Sequence, residues 1–431
     1  MKIRFYNARI LTMHKDSDVF WGELHTEEDR ITYVGEGSDQ APSDIAFDRE
    51  IDCEGNLLMP GFKNAHTHSA MTFLRSHADD LPLQAWLNEQ VFPYEAKLTG
   101  DDISTLTELA ILEYLTSGIT SIMEMYLTPE PIAKVCQERG MRCVQVGGVN
   151  NFSQSIEDVE RWYKTLNGVS PLTSFCLGFH AEYTCSPELL ERLAAFADEN
   201  SAPVFTHCAE TASERESCVS RYGMSPVKFI ASKGLWKHGG AGYHMVHVTP
   251  EDMDIIEQYG VGVVTNPASN LKLASGIAPI RGYLERGIPV AIGTDGPASN
   301  NALDMFREMF LTTALAKIKE SDASVVPAAE VLKMATSSGA HVMRIPDADV
   351  LAPGKLADVI LLDLHEPNMQ PIHNIVSNIV YSGSKSNVML TMIGGQILYD
   401  TLEGRGVFHV GKDPEEIYRR SQEITDRICG K

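Results

Sequence analysis

Eight short β-rich segments follow one another between residues 57 and 296, and helix-like stretches separate them. The stretches DISTLTELAILEYLTSG and SPELLERLAAFADENSA show the apolar spacing of amphipathic helices, and Ser186 followed by Pro187 marks a helix start. Eight alternations of strand and helix over roughly 250 residues predict an α/β fold, a (β/α)8 TIM barrel. The segments are LLMPGFKNAH (57–66), ITSIMEMY (119–126), MRCVQVGGV (141–149), SFCLGFHAEY (174–183), APVFTHCAE (202–210), GYHMVHV (242–248), GVGVVTN (260–266) and IPVAIGTDG (288–296).

The two ends of the chain read as β structure outside the barrel. Residues 1–58 alternate polar and apolar side chains in short runs such as KIRFYNARIL and RITYVG. This style returns after residue 350, where two β-rich runs around Gly394-Gly395 predict a two-residue hairpin. We therefore expect 1–58 and 350–431 to form one small, discontinuous β-sandwich domain beside a barrel domain at 59–349, with a surface helix at DPEEIYRRSQEITDRI.

Acidic residues outnumber basic ones by 58 to 36, which gives a formal net charge of −22. Such a charge repels nucleic-acid backbones and anionic membranes, so we expect neither as a partner. The eight cysteines include no C-x-x-C pair, which is typical of reduced thiols in the cytoplasm. The N-terminus has no apolar leader segment, and no apolar run reaches the roughly 18 residues of a membrane helix. These features predict a soluble cytoplasmic protein whose partner is a small molecule.

The first barrel segment ends in His66-Thr67-His68. Residues two apart on a strand point the same way, and neutral imidazole is the usual zinc ligand. The other polar candidates lie at or near the ends of four further segments and are His180, His207, His244 and Asp295. Because the carboxyl ends of the strands face the active site in this fold, three histidines and one aspartate predict a mononuclear metal site with room for a water.

One metal ion is favoured over two. A binuclear site of this kind commonly takes a bridging, modified lysine from the fourth strand, and the chain has no lysine between Lys164 and Lys228. A bound divalent ion would lower the pKa of a coordinated water towards neutrality and make it a nucleophile. Zinc is the expected ion, although the same nitrogen and oxygen ligands also serve iron and manganese.

Two acidic residues suit the proton transfers of such a site. Glu210 lies three residues after His207, an offset that places a carboxylate beside the metal without ligating it. Asp295, in GTDG, can both ligate the metal and accept a proton from the attacking water. In HMVH, His244 and His247 are three apart and point to opposite faces of a strand, so one of them faces the barrel mouth.

Four longer runs of the sequence carry a family resemblance: PGFKNAHTHSAMTFLRSHADDLPLQAWL, HCAET, NPASNLKLASGIAP and GTDGPASNN. Together they resemble the amidohydrolase superfamily, and within it the methylthioadenosine/S-adenosylhomocysteine deaminases of the ATZ/TRZ-like aminohydrolases, over essentially the whole chain. The resemblance implies one zinc ion with the ligands His66, His68, His207 and Asp295. It also implies that Glu210 shuttles the proton and that His244, rather than His247, hydrogen-bonds the attacking water.

The same resemblance implies a set of substrate contacts. The run ADDLPLQAWLNEQVFPYE, with Trp86 and Glu95 nine apart, is closest to the nucleoside deaminases. Glu95 would accept hydrogen bonds from the ribose hydroxyls, a task that suits a carboxylate facing a cis-diol. His180 would contact the purine ring, beside Glu210.

The sequence departs from the family at two places. Family enzymes that take S-adenosylhomocysteine hold its carboxylate with arginines after the third strand, whereas this chain has none between Arg142 and Arg161. That substrate is therefore less favoured. The second departure is Glu182, where the family usually has proline. At the barrel mouth, Glu182 would bind a substrate with an extra donor or positive charge; otherwise it is an outward-pointing loop residue.

The sequence thus predicts a metal-dependent hydrolytic deaminase, acting on a C–N bond of a cyclic amidine and releasing ammonia. The expected substrate is an adenine nucleoside: methylthioadenosine, adenosine or 5′-deoxyadenosine. The alternative is an aminohydrolase or chlorohydrolase of guanine, a pterin or an s-triazine. A non-catalytic metal-binding barrel is disfavoured because all four ligands, Glu210 and His244 are in place. The other zinc deaminase class needs H-x-E followed by P-C-x-x-C, which the chain lacks. The resemblance also implies a homo-oligomer.

Overall fold

The structure is a computed structural model that describes residues 1–14, 18–36, 45–77 and 79–430. These residues form two sheets, one in the barrel and one made by the ends of the chain. The strands are β1 (Lys2–Ile10), β2 (Phe20–Glu27), β3 (Arg30–Gly35), β4 (Arg49–Asp52), β5 (Leu57–Pro60), β6 (Phe62–Thr67), β7 (Ile119–Glu124), β8 (Arg142–Val146), β9 (Thr173–Ala181), β10 (Val204–Cys208), β11 (Gly240–His244), β12 (Val261–Thr265), β13 (Val290–Ile292), β14 (Val359–Leu362), β15 (Val388–Ile393), β16 (Gln396–Asp400) and β17 (Val407–Phe408).

The barrel consists of the strands β6 to β13, which in the described residues are parallel and lie in sequence order. Its last and first strands meet where the Asp295 N–H donates to the His66 carbonyl at 3.0 Å. Beside this contact the Thr294 N–H donates to Asn64 Oδ1 at 2.8 Å. The (β/α)8 barrel predicted from the eight alternations is therefore confirmed.

Helices follow the barrel strands and pack against their outer faces, as the two-layer rule of such barrels requires. The helix predicted to begin after Ser186 does so, because the Ser186 hydroxyl accepts the Leu189 N–H. The longer helices are Gly100–Thr116, Pro129–Arg139, Ile156–Thr165, Pro187–Glu199, Ala212–Tyr222, Pro226–Ser232, Pro250–Gln258, Pro267–Lys272, Ile280–Glu285, Met305–Glu320, Ala328–Ala335, Ser337–Val342, Ile375–Tyr381 and Pro414–Cys429. Shorter helical segments are Ser69–Leu74, Leu83–Ala85, Trp86–Val91, Phe92–Glu95, Glu182–Thr184, Pro346–Ala348, Pro367–Met369 and Lys385–Asn387.

The ends of the chain form one sheet whose described strands run in the order β17-β16-β15-β14-β5-β1-β2-β3, with β4 beside β1. The pairing of β14 with β5 joins the C-terminal strands to the N-terminal ones. One face of the sheet buries side chains from both ends of the chain in a common core, which includes Phe5, Leu24, Val359 and Leu390. The small β domain from the two termini, predicted from the alternating patterns, is thus present.

The prediction of a single barrel strand at 57–66 is wrong, because this segment forms two strands, β5 and β6. β5 pairs with β1 and β14 of the terminal sheet, whereas β6 pairs with β7 of the barrel. Gly61 separates them, and a Cβ atom there would lie 2.1 Å from Cγ2 of Thr120. Only glycine permits this close approach of the backbone to the neighbouring strand.

The two local predictions for the C-terminal part are confirmed. Gly394 and Gly395 connect β15 to β16 as a two-residue hairpin, with Ile393 opposite Gln396 and positive φ angles of 54° and 72° at the glycines. The helix Pro414–Cys429 buries one apolar stripe, as a surface helix does. In the described part of the chain, no helix combines the length and the apolar character that crossing a bilayer requires.

Candidate active site

The carboxyl ends of the barrel strands open into a cavity of about 410 Å³. Most of the residues predicted for the site line its wall, and these are His68, Trp86, Glu95, His180, His207, Glu210, His244 and Asp295. His66 lies at the base of this group and is fully buried. The structure thus brings together the histidines and Asp295 that the strand-end argument grouped, and also Trp86, Glu95 and Glu210, which that argument did not cover.

Five of these residues form two overlapping groups with the donor atoms of a metal site. His66, His68 and His207 bring ring nitrogens within 4.8 Å of one another, and His66, His244 and Asp295 form an overlapping group of the same kind. Asp295 Oδ1 lies 3.3 Å from His68 Nε2 and 3.6 Å from His66 Nε2. The ring of His66 stacks on Tyr243, which holds it in place.

Hydrogen bonds to the far nitrogens orient the imidazoles. His207 Nδ1 lies 2.8 Å from the His180 carbonyl, and His68 Nδ1 is bonded to the Met125 carbonyl. Both rings must then carry the proton on Nδ1, which leaves the Nε2 lone pair free to bind a metal. Neither ring nitrogen of the fully buried His66 has a hydrogen-bond partner among the described residues. Buried polar atoms are normally satisfied, so the unpaired nitrogens of His66 fit a side chain that binds a metal ion.

Asp295 is held by groups to which the sequence analysis assigned no role. Its Oδ2 atom accepts hydrogen bonds from the Ser269 hydroxyl at 2.5 Å and from the Ser299 hydroxyl at 3.0 Å. Its Oδ1 atom accepts the Gly296 N–H at 2.8 Å. Three donors fix the orientation of the carboxylate, as a metal ligand requires. Both serines lie in the motif runs NPASNLKLASGIAP and GTDGPASNN, so the motifs contained the only signal for them.

Glu210 and His244 face each other beside the cluster. His244 Nε2 lies 3.8 Å from Glu210 Oε2 and 4.0 Å from Asp295 Oδ2. His244 Nδ1 lies 2.8 Å from Asn270 Oδ1, and the Ser275 hydroxyl donates to Glu210 Oε1 at 3.1 Å. Burial raises the pKa of the Glu210 carboxyl, so this group gains and releases a proton closer to neutral pH.

A residue with a left-handed backbone conformation lies at the end of each of these strands or shortly after it. Asp295, His244 and Ala209, which precedes Glu210, have positive φ angles of 60°, 69° and 52°. Such angles cost non-glycine residues roughly 1–3 kcal/mol and are common at functional sites. Here they end the strand and turn the functional side chain towards the cavity.

His247, the other histidine of HMVH, does not line the cavity. Its Nε2 atom lies 2.6 Å from the carbonyl oxygen of Ser275, which ties the ring to the backbone of the neighbouring loop. His244 therefore occupies the catalytic side of this segment, and His247 packs away from it.

Trp86, Glu95 and His180 also line the cavity, and the His180 ring lies 5.0 Å from that of His207. Glu95 is buried, and its Oε1 atom has no hydrogen-bond partner among the described residues. Burial raises the pKa of the Glu95 carboxyl to about 7, while the neighbouring Tyr126 hydroxyl and the charge of His68 act in the opposite direction. Burial also lowers the pKa of His180 to about 4, so its ring is neutral near pH 7.

The interpretation of Glu182 as a substrate contact needs correction. The residue is fully buried and is not part of the cavity wall. Its Oε1 and Oε2 atoms accept hydrogen bonds from Nη2 of Arg221 at 2.6 and 2.9 Å. A buried carboxylate needs a partner of this kind, and no local pattern indicates that the helix Ala212–Tyr222 supplies it.

The outer part of the cavity is mainly apolar. Its described lining residues include no lysine and no arginine. Phe92 and Phe152 pack together at the rim with ring centroids 5.5 Å apart, and Phe152 is 60% exposed. The further apolar residues of the wall are Met71, Leu83, Leu87, Leu98, Met125, Leu127 and Leu273.

Known proteins resemble the chain over most or all of its length. The model of the amidohydrolase family matches residues 57–398. Two relatives named 5-methylthioadenosine/S-adenosylhomocysteine deaminase come from Syntrophomonas wolfei subsp. wolfei, 40% identical over 100% of both chains, and from Desulforamulus reducens, 39% identical over 98% of both chains.

Two solved structures have the same fold. An adenosine deaminase from Xanthomonas campestris with bound zinc is 30% identical and superposes with a TM-score of 0.92, covering 100% of this chain and 98% of that one. An atrazine chlorohydrolase from Arthrobacter aurescens with zinc has a TM-score of 0.88 at 22% identity, covering 98% of this chain and 100% of the other. At that identity the likeness supports the fold alone.

Proposed function

The chain belongs to the amidohydrolase family, and on this premise we propose that it is a metal-dependent hydrolytic deaminase of adenine nucleosides. One observation carries the proposal. A single cavity brings together the clustered metal-binding side chains, the Glu210–His244 pair and Glu95, a buried carboxylate with an unpaired oxygen. The relatives named as deaminases of adenine nucleosides support the same reaction.

His66, His68, His207 and Asp295 would hold one divalent ion. The mixture of imidazole and carboxylate donors suits zinc and also iron or manganese. The two backbone carbonyls behind His68 and His207 and the two serines behind Asp295 orient these ligands without any metal present. When bound, such an ion lowers the pKa of a water so that the water is a nucleophile at neutral pH.

The chain's own residues then move the protons. In the reaction, water adds at C6 of the purine and the 6-amino group leaves as ammonia, so one proton goes to the ring nitrogen and another to the amino group. Glu210, with its raised pKa, delivers the proton to the ring nitrogen. His244 and Asp295, about 4 Å apart, orient the water and take one of its protons, which then goes to the departing amino group. The second proton of the water goes back to Glu210 as the C6 carbonyl forms, which restores the starting state.

Three further residues of the cavity wall recognise the nucleoside. Glu95 accepts hydrogen bonds from the two ribose hydroxyls, which would satisfy its unpaired Oε1 atom. His180 is neutral near pH 7 and contacts the purine ring, while Trp86 adds an apolar surface beside Glu95. A free base or a triazine has no ribose and would leave Glu95 unused.

The group at the 5′ position of the sugar is the remaining variable. The apolar rim with Phe92 and Phe152 suits a methylthio, hydroxyl or hydrogen substituent, as in methylthioadenosine, adenosine and 5′-deoxyadenosine. The carboxylate of S-adenosylhomocysteine would meet no lysine or arginine on the described wall, so it would lose its hydration without an ionic partner. We therefore place S-adenosylhomocysteine below the other three nucleosides.

Ammonia release across a substrate panel tests the proposal, with metal content measured on the same preparation. The panel holds the four nucleosides, adenine, guanine, a pterin and melamine, and Glu210→Gln is the control for the chemistry. Turnover of nucleosides with one metal per chain, weak with S-adenosylhomocysteine and slower by about 100-fold or more in the control, is the expected result. Turnover of a free base alone, or silence across the panel with metal bound, would overturn the nucleoside assignment.

The cellular location, the absence of a nucleic-acid partner and the oligomeric state stay predictions. A cytoplasmic location is supported by buried thiols outside disulfides, such as Cys208 and Cys218. The acidic net charge of −22 supports the expectation of no nucleic-acid partner. The homo-oligomer implied by the family resemblance is tested by the molar mass of the purified protein in solution.

A further inference from the structure

A buried carboxylate that the reaction does not use lies directly behind the catalytic loop. Glu214 is the third residue of the helix Ala212–Tyr222, and it is 7% exposed. Its Oε1 atom accepts the N–H of Ala209 at 2.8 Å, and its Oε2 atom accepts the N–H of Glu210 at 2.7 Å. The Thr211 hydroxyl accepts the N–H of Glu214 itself, so the backbone of this residue is held as well.

The two amides that Glu214 binds have no secondary structure to satisfy them. Ala209 and Glu210 lie between the end of β10 and the helix, and both are buried. Ala209 has a positive φ angle of 52°, a conformation that a non-glycine residue keeps only when its surroundings impose it. A buried N–H without an acceptor is costly, so this loop conformation depends on the Glu214 carboxylate.

The same loop also holds the segment after His244. The Ala209 carbonyl accepts the N–H of Val246 at 3.0 Å and the N–H of His247 at 2.8 Å. The position of Glu210 beside His244 therefore follows from a chain of contacts that begins at Glu214. By contrast, Glu216 lies on the exposed face of the same helix.

We propose that Glu214 is a positioning residue, whose two carboxylate oxygens hold the backbone of Ala209 and Glu210 so that the Glu210 side chain is aimed at His244 and the substrate. Glu214 touches neither substrate nor metal and acts through Glu210. The consequence for turnover rests on the proposed function, whereas the backbone contact itself does not.

A double-mutant cycle tests the catalytic part. Glu214→Gln keeps the size of the side chain, but its amide nitrogen cannot accept, so one of the two N–H groups loses its acceptor. In the wild-type background we expect kcat to fall about 10- to 100-fold, the factor that corresponds to one unsatisfied buried donor, with KM changed less than about twofold. In the Glu210→Gln background the same change should alter kcat little, because the residue through which it acts is already disabled.

Amide hydrogen exchange tests the contact without any substrate. In the metal-loaded protein, the amides of Ala209 and Glu210 should exchange at least about tenfold faster in Glu214→Gln than in the wild type. The matched control Glu216→Gln, on the exposed face of the helix, should change neither exchange nor kcat. If Glu214→Gln does not fold, Glu214→Asp replaces it, since the shorter side chain retains the charge but cannot reach both amides.

The outcomes separate the two claims. Unchanged amide exchange, or equal losses of kcat in both backgrounds, would overturn the positioning role even if the wild type deaminates nucleosides. A wild type that turns over no nucleoside would overturn the proposed function, while faster exchange in Glu214→Gln would still support the contact. Loss of bound metal in Glu214→Gln would also count against the proposal, because it would indicate a general collapse of the site.

Discussion

Replacing Arg221 by methionine should destabilise the protein, because it leaves the buried carboxylate of Glu182 without its partner. Arg221 Nη2 donates to both carboxylate oxygens of Glu182, at 2.6 and 2.9 Å, and Glu182 is fully buried. Methionine retains most of the aliphatic packing of arginine but removes the charge. The variant then holds a buried carboxylate with no cationic partner.

The magnitude follows from the burial of the two partners. Removing one member of a buried ion pair costs about 3–5 kcal/mol, because the other charge is left without compensation. The Arg221 side chain is 35% exposed, and solvent screens part of this interaction. We therefore expect a loss of about 2 kcal/mol in the free energy of unfolding. With an unfolding entropy of about 2.1 cal/mol/K per residue, this lowers Tm by about 2 °C if the whole chain unfolds together.

The loss should depend on pH with a defined sign. Burial raises the pKa of Glu182, and Arg221 offsets part of that rise, so its removal raises the pKa further. Between the pKa of the unfolded state and that of the folded state, the folded protein binds the extra proton, and its stability falls as pH rises. The deficit of Arg221→Met should therefore be largest above the folded-state pKa and shrink as pH falls towards the unfolded-state value.

Thermal and urea unfolding of four proteins measures the effect: the wild type, Arg221→Met, Glu182→Gln and the double variant. The double variant has neither charge of this pair. Arg221→Met should therefore change the free energy of unfolding little in the Glu182→Gln background. An equal cost in both backgrounds, or a deficit that grows on acidification, would refute the argument from the buried pair.

Three further changes probe the cavity. Glu95→Gln should raise KM for adenosine and methylthioadenosine about 10- to 100-fold, with a smaller effect on kcat. The reason is that the variant weakens the acceptor for the ribose hydroxyls in the ground state as much as in the transition state. A larger effect on kcat than on KM would contradict this role. Removal of metal by a chelator should abolish ammonia release and zinc should restore it, whereas His66→Ala should fail to retain one metal per chain in elemental analysis. Phe152→Ser should lower kcat/KM for methylthioadenosine about threefold to tenfold more than for adenosine, and equal losses in a side-by-side assay would remove Phe152 from the recognition of the 5′ group.

The cluster of candidate metal ligands could be predicted because its signal is local. His66 and His68 are two apart along the chain at the end of a strand, so they point the same way. His207 lies near the end of β10 and Asp295 follows β13 by three residues, and the parallel barrel brings all strand ends to one face. The choice between His244 and His247 is different, since spacing shows only that they diverge. The contact of His247 with the Ser275 carbonyl decides which one leaves the site.

The sequence by itself determined the alternation of strands and helices, the hairpin at Gly394-Gly395 and the set of polar residues at the strand ends, because periodicity and turn chemistry act over a few neighbouring residues. Only the tertiary structure decided that 57–66 divides at Gly61, that Glu182 is paired with Arg221, and that Glu214 binds the backbone at Glu210. The physical reason is that a buried polar group needs a hydrogen-bond partner. Which distant residue supplies that partner depends on how helices pack against strands and not on the local sequence pattern.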